Sequence, residues 1–188
     1  MFKYLSILLI FFSCSTKQED CLEKFNNEIG EEYAIALEEL TLEFDRNIMK
    51  SDGSNFAEKC RNFLTPLSEG NDQLFVERIE KRKDLMKKLT SLDTMIFNYG
   101  HIQNDSLLLV RHITIKRKSE YIKALSNLNG CSDLITEYIS IIESGLDIGP
   151  VLAASGAVNS FKDEDFENLI NKRILAVEIL LPYLSNPE

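Results

Sequence analysis

His101 and His112 are the chain's only histidines, so any imidazole chemistry rests on them. His101 and Asp105 stand four apart, a spacing that sets two metal ligands on one helical face. Gly100 and Asn104 argue for a loop there instead, and no third ligand follows. The Glu-x-x-His pairs of di-iron bundles, the H-E-x-x-H motif and the calcium loop are all missing. We therefore expect no metal and no cofactor. Ser155 lies in Ala153-Ala154-Ser155-Gly156-Ala157 without the preceding strand that a nucleophile elbow needs. That run reads as close helix packing or a tight loop. Glu31-Glu32, Glu38-Glu39 and Asp163-Glu164-Asp165 are acids on solvent faces or at a helix start, where they complement the dipole. No catalytic or cofactor-binding residue is assigned.

Four cysteines remain: Cys14, Cys21, Cys60 and Cys131. In an oxidising compartment the last three permit one disulfide and leave one thiol over. Buried free thiols packing as small hydrophobes are the competing reading. The basic runs Lys81-Arg82-Lys83, Lys87-Lys88 and Lys116-Arg117-Lys118 read as solvated faces beside an acidic helix, with a site for an acidic partner as the sharper alternative.

The compartment is argued from the N-terminus. Lys3 precedes an apolar run over 4–12, broken only by Ser6. Nine helical residues reach about 14 Å, whereas a bilayer core is about 30 Å thick. The run suits the apolar segment of a secretory signal. Its end, Ser13-Cys14, resembles the lipobox of bacterial lipoprotein signal peptides, with Phe11 where that family usually has Leu. The resemblance covers residues 1–14. It implies that 1–13 are cleaved and that Cys14 is lipidated and becomes the first mature residue. Residues 14–20 would form the lipidated cysteine and a polar tether, and 21–188 the folded domain. Cleavage after Ser15 without lipidation, and a retained first helix, are the alternatives.

The composition is that of one ordinary globular domain, 44% hydrophobic and 27% charged. A net charge of −9 disfavours phosphate backbones, so no nucleic acid partner is expected.

Apolar spacings of three and four predict amphipathic helices over 22–49, 55–68, 72–99, 105–128, 133–144 and 163–184. Gly100 is read as the cap of the third helix. Pro66 is read as an early stop for the second, and Pro182 as a break in the last. The stretch 107–118 also carries strand character in Val110, Ile113, Thr114 and Ile115. Helix is preferred there because a lone strand would have no partner. A short packed helix is expected after Pro150.

These elements predict an all-α fold: a single-domain antiparallel helical bundle of about five or six helices. Following its up-and-down course puts Cys21 and Cys131 at one end and Cys60 nearer the other. If a bond forms, Cys21–Cys131 is the favoured pairing. The functional expectation is a cell-envelope lipoprotein, held to a membrane by lipid on Cys14 and acting as a binding or structural interaction module toward a protein partner. An inhibitor or immunity-type protein against an envelope toxin or hydrolase is one alternative. An envelope enzyme with a site assembled from scattered residues is another.

Overall fold

The computed structural model describes residues 18–79, 83–103, 109–128 and 130–184. The signal segment, the lipobox resemblance and Cys14 lie outside the described residues.

Among the described residues the chain is mostly helical, with one two-stranded sheet. Helix α1 covers 18–29, so residues 18–20, read as tether, belong to a helix. Gly30 follows with φ 88°, and α2 runs Glu31–Met49. The expected 22–49 helix is thus two helices. The break falls at the one residue for which a left-handed turn carries no Cβ penalty. Helix α3 (Phe56–Ser68) is capped by Asn55, whose side chain accepts from Glu58 N, and it runs through Pro66 rather than stopping there. Helices α4 (Asp72–Arg78) and α5 (Lys83–Ile96) replace the single helix expected over 72–99. Ile79, after α4, is extended, and neither glycine nor proline marks that break.

The largest correction is at 105–128. Strand β1 (Phe97–Gln103) pairs antiparallel with β2 (Leu109–Ile115), from Phe97 opposite Ile115 to Gln103 opposite Leu109. The β-branched residues of 109–115 do form a strand. Its partner is the segment assigned to the end of the third helix, with Gly100 inside the strand and not at a cap. The helical remainder is α6 (Glu120–Ser126), capped by Ser119. Helices α7 (Asp133–Glu143) and α8 (Pro150–Ser160) follow, the latter starting on Pro150 as expected. The last stretch comprises α9 (Asp163–Glu167), α10 (Leu169–Leu175), a π-helical turn at Ala176–Leu180 and α11 (Leu181–Leu184).

Residues 170–182 are all buried, so this C-terminal helix is the axis on which α2, α8 and α9 pack. An aromatic chain crosses the core beside it. Phe44, Phe63, Phe75 and Tyr183 have successive ring-centroid distances of 6.0, 5.1 and 5.2 Å. Such pairs contribute beyond their buried area. A helix enclosed all round is normally apolar all round. This one carries Asn171, Lys172, Arg173 and Glu178, and each needs an account.

Candidate functional site

Pro182 shapes the site. Proline lacks an N–H, and its ring clashes with the carbonyl four residues back, here that of Glu178. The break expected there from the sequence does not occur. The helix continues to Leu184 after one widened π turn centred on Glu178. Single π turns inside α-helices recur at functional sites.

Glu178 is 2% exposed and lies at the floor of a cavity of about 230 Å³ between α7, α8 and the C-terminal helix. Helix α7 buries Ile135, Tyr138, Ile139 and Ile142 along one face, and this periodicity aims Tyr138 inward. The Tyr138 hydroxyl donates to Glu178 Oε1. Burial pushes the Glu178 carboxyl up to about 8, and the charge of Asp147 adds to that, while the Tyr138 hydrogen bond opposes it. At pH 7 it is therefore a neutral acid, because desolvation penalises the ionised form.

Helix α8 forms the facing wall. Ala154 and Ala157 are buried, and their small side chains let α8 lie close against α3. Ala153 and Gly156 face the cavity and leave it open. Leu152, at the rim, is 64% exposed. The small-residue run is thus helical packing on one side and a cavity wall on the other.

Asn171 supplies a second polar group. Asn168 caps α10 by accepting from the backbone N–H groups of Ile170 and Asn171. Asn171 Nδ2 donates to the Asp165 carbonyl at 3.2 Å, which fixes the amide orientation. Its Oδ1 is buried without a partner, and Asn171 is among the residues that line the cavity. Among the described residues lining the cavity none is Lys or Arg. A concave, mostly apolar site with a few convergent polar groups and a shifted carboxyl is the usual form of a small-ligand pocket.

A different polar cluster lies elsewhere on the same helix. Lys172, 8% exposed, meets Asp45 at 3.4 Å and Glu167 at 4.0 Å, with the Phe56 ring centroid 4.1 Å from its ammonium. Burial raises the Asp45 carboxyl, and Lys172 opposes the rise. Cys60, 1% exposed, is a free thiol pushed up to about 12, chiefly by burial. A thiol so protonated is a poor nucleophile.

The residues singled out in the sequence do not meet at the pocket. Cys21 and Cys131 are joined by a disulfide that ties α1 to the α6–α7 junction, their Cα atoms 6.1 Å apart. His101 stands opposite Arg111 and His112 opposite Gly100 in the hairpin; Asp105 lies outside the described residues. Among the described residues no cluster of three His, Cys, Asp or Glu could hold a metal. Lys88 pairs with Glu39 at 2.6 Å, Arg117 lies 4.0 Å from Asp147, and Arg61 holds Asp163 at 2.7 Å. These basic side chains and acids therefore have partners within the fold. Ser155 Oγ accepts from Asn159.

Glu178, Tyr138 and Asn171 were not identified from sequence. One signal was available: Glu178 is the sole charge in 174–184, and it lies between Ile174 and Leu181 at helical spacing on the inward face. Comparison with known proteins identifies no relative: no family model, curated protein or solved structure matches this chain.

Proposed function

We propose that this protein is a cell-envelope lipoprotein, anchored by lipid on Cys14, whose helical domain binds a small, largely apolar ligand between α7 and α8. The helices are read as an antiparallel bundle around the buried C-terminal helix. The observation that carries the binding function is that one apolar cavity is lined both by Glu178, a buried acid with no cation in contact among the described residues, and by Asn171, whose buried Oδ1 has no partner. A core built only for stability keeps few such groups, since an unmet buried acceptor costs roughly 1–3 kcal/mol. A ligand that meets them recovers that cost on binding. The pocket favours a small molecule over the protein partner expected from the acidic faces, because Glu39 and Asp163 already have intramolecular partners.

Among the described residues no helix is long and apolar enough to cross a membrane, so the anchoring rests on the resemblance at residues 1–14. Mass spectrometry of the mature N-terminus checks it: a triacylated Cys14 is expected, and an unmodified chain starting at Thr16 would overturn it. For the pocket, a neutral solvatochromic dye is titrated into the parent and into Gly156→Leu. A Cβ at Gly156 meets nothing within 4 Å, so leucine there enters the cavity without displacing the fold. Saturable binding lost in the variant is expected. Equal binding by both would refute the site.

A further inference from the structure

The pocket's polar groups are lopsided. Asn171 Oδ1 is an acceptor with no donor, and Asn171 cannot present its amide nitrogen instead, because Nδ2 is held by the Asp165 carbonyl. Among the described residues, Glu178 receives its hydrogen bond from Tyr138, and no cation touches it. Glu137 stands at the mouth, and the described lining contains no basic residue. A carboxylate or phosphate head would find hydroxyl donors but no positive charge in that lining. An ammonium is the opposite case, with three donors, no acceptor and a positive charge. We propose that the ligand is a small alkylammonium compound, its chain along the apolar groove and its –NH₃⁺ head at the Glu178 carboxyl. This rests on the pocket being the binding site.

Binding then has a proton ledger. The empty site holds Glu178 as the neutral acid. When the ammonium enters, the Glu178 O–H bond breaks, its proton leaves to solvent, and the carboxylate pairs with the intact ammonium. The groups facing Glu178 are Tyr138 from α7, the buried Tyr121 hydroxyl from α6, and Asp147 from the α7–α8 loop, itself 4.0 Å from Arg117. None of these is a cation in contact with Glu178, so none already supplies what the ligand would bring. Affinity rises with pH up to about 8, where Glu178 ionises unaided. It falls again above roughly pH 10, where an alkylammonium loses its own proton.

The test is calorimetric titration of the full chain, disulfide intact, at pH 7 in two buffers of different ionisation enthalpy. The probes are hexylamine, 1-hexanol and hexanoate. Hexylamine is expected to bind at least tenfold more tightly than hexanol and to release close to one proton. Octylamine should bind roughly tenfold more tightly than hexylamine, from two further buried methylenes. Glu178→Gln should abolish proton release and remove the preference for hexylamine while keeping hexanol binding. If hexanol or hexanoate binds as tightly as hexylamine, or if Glu178→Gln keeps the preference, the ammonium assignment is wrong and the pocket itself stands. If no probe binds, hexanol included, both the assignment and the pocket reading fail.

Discussion

Two buried ionisable groups sit six residues apart on one enclosed helix and are treated in opposite ways. Lys172 is surrounded by what a charge requires: Asp45, Glu167 and the face of Phe56. Glu178 has a single hydrogen bond from Tyr138 and an apolar cavity. The first arrangement pairs the charge, although Asp45 Oδ1 stays without a partner, and joins α2, α3 and α9 to the C-terminal helix. The second leaves the balance to be struck by something outside the chain. Charge compensation, more than burial, separates a structural ionisable group from a binding one here.

The largest effect should come from breaking the compensated site. Lys172→Met should destabilise the protein by about 2 kcal/mol in chemical denaturation, because it leaves the part-buried Asp45 carboxylate without its cation. Adding Asp45→Asn should recover part of that loss. A neutral result would mean that the two sites do not differ as argued.

Removing the uncompensated acid should act in the other direction. The unfolded chain loses the Glu178 proton near 4.5, whereas the fold keeps it to about 8. The folded state therefore binds more protons between those values, and stability falls as pH rises through that window. Glu178→Gln should be roughly 2–3 kcal/mol more stable than the parent at pH 7 and equal to it at pH 4. An advantage independent of pH would refute the neutral-acid account.

Tyr138→Phe should cost about 1–2 kcal/mol at pH 7 and move the Glu178 midpoint higher still, since the Tyr138 hydrogen bond holds it down. The smallest effect belongs to the wall. Gly156→Ala should stabilise by about 1 kcal/mol, the helix-propensity gain at an open position. A loss at Gly156 would mean that the cavity wall is closed to added atoms.

The sequence made the helical elements legible where apolar spacing is strict, as in α3 and α7, and at α8 through Pro150 at its first turn. The Cys21–Cys131 pairing expected from the sequence is the disulfide observed, although part of the expected 105–128 helix on the way between them is a hairpin strand. The hairpin was misread because a strand needs a partner, and the pairing of 97–103 with 109–115 is a nonlocal fact that local patterns underreport. Gly30 was a visible break that the strong periodicity on either side concealed. The pocket was hidden for a related reason. Abundant surface carboxylates drew attention to runs of acids, whereas the informative acid is isolated. Glu178 stands alone among apolar neighbours, four residues before Pro182, and it takes the packed helix to show that nothing basic meets it.

The central claim is that Glu178 is a neutral, uncompensated acid at the floor of a ligand pocket. Following the side-chain carboxyl carbon of Glu178 by ¹³C NMR across pH tests it directly, with Glu178→Gln assigning the resonance. A midpoint of about 8 in the empty protein, falling when hexylamine is added, is the predicted result. A midpoint in the ordinary glutamate range near 4.3, unmoved by the amine, would contradict the account.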